Sequence, residues 1–266
     1  MSESEYRIVD VNAANVDSVG AFCLQSKKHT EGYKAKIEWM KRRFKEGLRY
    51  KVLYVNEGAK KGFRARGFVE YIPGEFAWRG ISAKRYMVVH CIWVVGRNKG
   101  KGYGSKLLQF CLEDAKAEGL NGVAMVTSDK TWLPKKGLFI KNGFELADAM
   151  PSFELYAKRL NSKTPLPKFN HVPESKLKKY AGGLVAFKSD QCPYSNASVR
   201  HIGELAEEMG LPFRVERIEN CKQAQNVMHP YGTFCVLYNG KIVTHRPIGK
   251  KDLKELMDSS AFLPVT

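Results

Sequence analysis

Three glycines at alternate positions, Gly100, Gly102 and Gly104, lie among Lys99, Lys101 and Lys106, between a strand-like run ending at Val95 and a helix-like run from Ser105. A glycine-rich turn entering a helix lets main-chain N–H groups converge on an anion, and the helix dipole favours negative charge there. The lysines point that anion toward phosphate. His90, in the strand-like run just before this turn, has the imidazole pKa range a proton acceptor needs, although it could equally be a satisfied core histidine or a substrate contact. Far down the chain, Cys192 precedes Pro193-Tyr194-Ser195 and a helical pattern. A helix N-terminus favours a thiolate, and thiolate is the reactive form of cysteine.

The elements that must position these groups follow from periodicity. Tyr6 to Val11, Tyr50 to Asn56, Ala65 to Ile72, Tyr86 to Val95, Val123 to Thr127 and Phe153 to Leu160 read as strands. Val16 to Leu24, Lys34 to Gly47, Ser105 to Glu118 and Trp132 to Lys141 read as helices. Asn161 to Lys179 carries three prolines and little periodicity, so it reads as a linker. Beyond it, strands are expected over Leu184 to Phe187 and Phe213 to Ile218. Helices are expected over Ser195 to Met209 and Lys251 to Met257. Thr233 to Tyr238 and Lys241 to His245 form a hairpin about Asn239-Gly240.

The segment Val94 to Leu108 resembles the pyrophosphate-binding signature of the GNAT N-acetyltransferases, with Val94, Lys99, Gly102 and Gly104 in register. A second register through Arg97, Gly100 and Gly102 also satisfies it. The order of elements over residues 1–160 is that of a GNAT domain: a mixed, mostly antiparallel sheet in an α/β (α+β) fold. The resemblance implies acetyl-CoA as co-substrate, with no metal. Ile92, Trp93 and Val94 would lie along pantetheine, and a backbone N–H near Ile92 would polarise the thioester carbonyl. Lys99, Gly100, Lys101, Gly102, Tyr103, Gly104 and Ser105 would hold the pyrophosphate. Many family members carry an acid tyrosine four residues before the Gly-Phe of the last helix. Phe139 stands there, so Tyr103, Ser128 or Cys91 would replace it, or thiolate would leave unassisted. His90 is the candidate base. His29, Glu31 and Tyr33 lie where the family receives its acceptor, and as plainly form a turn.

The second part, over residues 181–266, looks like a smaller thioredoxin-like α/β domain, with Cys192-Pro193-Tyr194-Ser195 where glutaredoxins have a two-cysteine motif. Ser195 excludes a dithiol cycle within it. Gly232 falls where such proteins place a proline, with Pro230 two residues earlier. Cys192 is then a thiol site, or the module is a degenerate cover. The pair of domains, 1–160 and 181–266 about a 161–180 linker, resembles the YoaP-like acetyltransferases. The implied activity is direct acetyl transfer to an amine of a small molecule or peptide. A non-catalytic acyl-CoA sensor, or a bifunctional protein whose Cys192 captures a thiol substrate, are the alternatives.

Composition bounds these readings. The 266 residues carry a formal charge of +17, and 29 Lys+Arg against 17 Asp+Glu precede residue 161. No nucleic-acid motif accompanies that charge, and no apolar run reaches the roughly 18 residues of a membrane span. Six cysteines without paired metal spacing read as thiols of a cytoplasmic protein. A homo-oligomer remains open.

Overall fold

A computed structural model describes residues 5–227 and 229–258. The chain falls into two compact units. Among the described residues, the first comprises 5–26, Ile37–Ala77 and Ile81–Phe169; the second comprises Lys27–Lys36, Trp78–Gly80 and those from Asn170 on.

In chain order the elements begin with β1 (Tyr6–Val11), α1 (Val16–Val19), α2 (Glu31–Phe44), β2 (Arg49–Asn56), β3 (Phe63–Pro73), β4 (Ile81–Ser82) and β5 (Tyr86–Val94). They continue with α3 (Tyr103–Ala117), β6 (Gly122–Thr127), α4 (Gly137–Lys141), β7 (Glu145–Met150), β8 (Phe153–Arg159) and β9 (Lys168–Phe169). One seven-stranded sheet, in the order β1-β2-β3-β5-β6-β8-β7, forms the first unit. Only β5 and β6 run parallel; every other neighbouring pair is antiparallel. The crossover between the parallel pair is α3, whose Leu107, Leu108 and Cys111 are buried with Val88, Val89 and Met125 in the core. That burial follows from apolar residues recurring at helical spacing on one face of α3.

Several boundaries differ from the sequence reading. Helix α3 starts at Tyr103, two residues early, because Gly102 takes the left-handed conformation and caps it. Helix α4 is confined to Gly137–Lys141, since Pro134 interrupts the segment before it. Strand β7 has no counterpart in the sequence reading. Its residues, Glu-Leu-Ala-Asp-Ala-Met, have poor strand propensity, and pairing with β8 imposes the conformation at the sheet edge.

The second unit holds β10 (Leu184–Lys188), α5 (Ser195–Glu208), β11 (Phe213–Arg217), α6 (Cys221–Gln225), β12 (Phe234–Tyr238), β13 (Lys241–Thr244) and α7 (Lys250–Asp258). Its sheet runs β11-β10-β12-β13, with β10 parallel to β11 and the other pairs antiparallel. The segment read as a linker contains β9 and a 3₁₀ stretch, Glu174–Tyr180.

Candidate functional site

The parallel pair at the centre of the first sheet separates part-way along. Strand β5 pairs with β6 only from Tyr86 opposite Gly122 to Val89 opposite Met125. Beyond that point β5 continues to Val94 and β6 to Thr127, with no further pairing between them. On its other side β5 stays paired with β3, but the register slips: Cys91 faces Glu70 and Val89 faces Tyr71. His90 is therefore the extra residue of a β-bulge, placed where the gap begins. The N–H of Val95 donates to Arg66 O at 2.9 Å, so alternation turns the N–H groups of Ile92 and Val94 away from β3 and toward the gap. Ile92 is buried and Trp93 is 45% exposed.

The glycine turn follows directly. Gly96, Gly100 and Gly102 all have positive φ, and Gly102 (φ 81°, ψ −5°) is the N-cap of α3. Gly104 is ordinary helix; a Cβ there would meet Leu138 Cδ1 at 3.2 Å. After Lys99, whose amide donates to Gly96 O, the next amide to bond back is that of Lys106, which donates to Gly102 O. The N–H groups of Tyr103, Gly104 and Ser105 thus open outward, with no acidic residue in the first turn. Lys99 and Lys101 are exposed and make no ion pair among the described residues. Lys106 lies over the Tyr6 ring at 4.8 Å. Arg97 instead approaches Glu57 at 3.4 Å, and Glu57 also takes two 2.8 Å hydrogen bonds from Arg66. Those Arg66 bonds hold the Glu57 carboxyl down at about 2.

The proton-transfer candidates are more constrained. His90 is fully buried; its Nδ1 lies 3.2 Å from Glu70 Oε1, and Trp39 stacks at a tilt nearby. The Tyr103 hydroxyl donates to Glu5 at 2.8 Å, and burial, with that bond, pushes it up to about 12. Phe139 is wholly buried, edge-on to Phe144. The sequence reading overlooked Glu70, whose signal was a lone carboxylate inside the apolar run Phe68 to Ile72. It also overlooked a cavity of about 340 Å³ at the end of β6, lined by Ser128, Asp129, Lys130, Lys136, Phe153 and Glu154 among others. No metal-binding cluster of three or more His, Cys, Asp or Glu occurs among the described residues.

In the second unit, Cys192 is half-buried in the turn before α5, and Ser195 N–H donates to Cys192 O at 3.1 Å. The Ser195 hydroxyl is buried with no hydrogen-bond partner among the described residues. His29 and Glu31 are exposed, Tyr33 is buried, and all three belong to this unit. A Cβ at neighbouring Gly32 would lie 2.1 Å from Pro193 O. Trp78–Gly80 runs against the loop before β12. Gly80 N–H donates to Pro230 O at 3.2 Å, and buried Arg79 donates to Tyr231 O at 3.0 Å.

The acetyltransferase (GNAT) family profile matches residues 21–144, and the YoaP-like profile matches residues 212–254. The chain is 30% identical over 258 residues to the uncharacterized N-acetyltransferase YoaP of Bacillus subtilis strain 168, covering 95% of this chain and 99% of that one. It is 31% identical over 113 residues to the L-methionine sulfoximine/L-methionine sulfone acetyltransferase of Pseudomonas aeruginosa PAO1, covering 42% of this chain and 60% of that protein. Among solved structures, a GNAT family acetyltransferase from Brucella melitensis in complex with acetyl-CoA is 14% identical. It covers 60% of this chain and 92% of that one, with a TM-score of 0.37. No helix among the described residues is long and apolar enough to cross a membrane.

Proposed function

Since the chain belongs to the GNAT family of acetyltransferases, we propose that it moves the acetyl group of acetyl-CoA directly to the amine of a small molecule or peptide. The observation that carries this reading is the break in β5–β6 pairing after Val89 and Met125, running straight into the open N-terminus of α3. The residues present fit the co-substrate. Tyr103, Gly104 and Ser105 offer three main-chain N–H groups to the pyrophosphate, and Lys99 and Lys101 offer charge. Ile92 and Val94 offer N–H groups along the gap, where one can polarise the thioester carbonyl as fixed oxyanion-hole donors do.

The proton balance is set by the amine. It enters as an ammonium ion and must shed one proton before its lone pair can attack. As the C–N bond forms and the C–S bond breaks, nitrogen sheds a second proton while the sulfur leaves as thiolate. One proton ends on sulfur and one in solvent. Phe139 cannot donate to sulfur, so thiolate leaves with its low basicity as the only assistance. We assign His90 to holding the bulge through Glu70, because a fully buried ring does not meet an incoming amine. Tyr103, whose hydroxyl is engaged by Glu5, is assigned to packing the loop.

We read the second unit as thioredoxin-like, supported by its strand order with one parallel and two antiparallel pairs. A cytoplasmic setting is supported by six cysteines, none in a disulfide. Release of free CoA thiol from acetyl-CoA across a panel of amines tests the function. Saturable acetyl-CoA binding without thiol release across that panel would favour the sensor reading that Phe139 and buried His90 suggest.

A further inference from the structure

The cavity at the end of β6 is lined by charges of both signs, and that pattern selects what can enter. We infer that it receives the acceptor, and that the acceptor is a small zwitterion: a primary amine with a carboxylate a few bonds away. The inference rests on the acetyl-transfer reading and adds the substrate class.

Position comes first. Val126 and Thr127 lie beyond the last β5–β6 pair, so the β6 wall of the gap leads directly into Ser128, Asp129 and Lys130. The Thr127 hydroxyl donates to Glu154 O at 3.2 Å, tying the β7–β8 hairpin to that wall. Phe153, buried at the start of β8, supplies an apolar surface.

Size comes second. About 340 Å³ lies at the lower end of the roughly 300–1,000 Å³ typical of small-molecule sites. It suits an amino-acid-sized guest.

Charge decides the class. Asp129 and Glu154 oppose Lys130 and Lys136. Lys136 and Glu154 satisfy one another at 3.0 Å, and Asp129 adds its charge to Lys136 from beyond ion-pair distance, whereas Lys130 makes no ion pair among the described residues. On a chain of net charge +17, a locally balanced site is a departure from the average surface. A polyamine would need a net acidic site, and a phosphorylated acceptor a net basic one. Asp129 and Lys130, neither closed by a direct ion pair among the described residues, match a guest carrying one charge of each sign: Asp129 draws the ammonium end and Lys130 the carboxylate.

The test is CoA release by the full-length protein with the common L-amino acids, their C-terminal amides and the corresponding decarboxylated amines, compared at equal concentrations of free-base amine. The expected result is that kcat/KM for at least one amino acid exceeds that of its amide about tenfold. Lys130→Met should bring that ratio to within about twofold. Lys130→Glu should reverse it in favour of amines bearing a second positive charge. A wild-type enzyme that acetylates amides or simple amines as well as the acids overturns the inference and leaves acetyl transfer standing. So does a preference for the acid that survives Lys130→Met. No thiol release with any amine, despite acetyl-CoA binding seen by calorimetry, overturns both.

Discussion

Replacing Gly102 with alanine separates the glycine turn's role as an anion cradle from its role as mere punctuation. Gly102 caps α3 with φ 81° and ψ −5°, and no atom lies within 4 Å of the position a Cβ would take. The cost of Gly102→Ala is therefore conformational rather than steric, about 1–2 kcal/mol for a left-handed non-glycine residue. If the turn holds, that cost appears as lost stability. If it relaxes to right-handed geometry, the N–H groups of Tyr103, Gly104 and Ser105 no longer converge. A hydrogen bond to a charged group is worth about 1.5–3 kcal/mol, so losing one raises the acetyl-CoA Kd roughly 10- to 100-fold. Gly104→Ala is the control. That residue is ordinary helix, and its Cβ would meet only the flexible end of Leu138 at 3.2 Å, so the change in Kd should stay within about threefold. Titration calorimetry with acetyl-CoA reads affinity, and scanning calorimetry reads stability. Wild-type affinity and melting in Gly102→Ala, or a larger loss in Gly104→Ala, would refute the reasoning.

The remaining expectations concern charge, burial and the thiol. The double variant Lys99→Met/Lys101→Met should weaken acetyl-CoA binding about tenfold at low salt, and the difference from wild type should shrink at high salt as screening replaces the lost charges. Equal salt dependence in both proteins would count against it. Arg79→Met removes a buried guanidinium that donates to Trp78 O and Tyr231 O, and should cost about 1.5–3 kcal/mol in urea unfolding through the lost charged hydrogen bonds; a loss under about 1 kcal/mol would contradict this. Burial lowers His245 to about 4 and pushes His229 well below its usual value, so the unfolded chain binds their protons more readily. Stability from these groups is therefore level above about pH 6.5 and falls as pH drops toward 4, by about 3 kcal/mol for His245 alone. His245→Asn should remove that share of the slope, and identical pH profiles would refute it. Cys192, half-buried beside the Pro193 turn, should alkylate more slowly in the folded chain than in urea; equal rates would show it open to solvent.

The sequence displayed the loop far better than the chemistry around it. Alternate glycines among lysines are visible because positive φ and phosphate charge each demand particular residue types. The strands either side are visible because Val, Tyr and Phe fill them. Strand β7 is invisible for the opposite reason, since its conformation comes from β8 and not from its own residues. The bulge at His90 could not be read either: a one-residue slip is a property of the pair β3–β5, not of one strand. Hence a histidine can be read as a base from the sequence, whereas in the structure it is fully buried with its Nδ1 3.2 Å from Glu70. Arg97 and Lys99 both satisfy the phosphate pattern, and the helical periodicity that starts after Gly104 favours the Lys99 register. What the sequence could not display is Glu57, distant along the chain, which approaches Arg97 at 3.4 Å.

The second unit holds Cys192 in surroundings that limit what its thiol can do. Cys192 lies before α5, yet Ser195, three residues on, is a buried hydroxyl with no hydrogen-bond partner among the described residues and cannot close a disulfide. Gly32 approaches Pro193 O so closely that a Cβ would sit at 2.1 Å. Across the loop before β12, Gly232 has φ 77°, and a Cβ there would lie 2.6 Å from Arg79 Cα. Gly32 is thus required by the Pro193 carbonyl, and Gly232 both by its positive φ and by the main chain of Trp78 and Arg79. Arg79 reinforces the contact by donating to Tyr231 O, and Gly80 by donating to Pro230 O. A segment held by main-chain bonds and a buried guanidinium is part of the folded unit, not a visiting substrate. That closure argues against Cys192 acting on extended peptides from outside. It also means that cutting the chain within 161–180 would leave the C-terminal fragment without Gly32, Arg79 and Gly80.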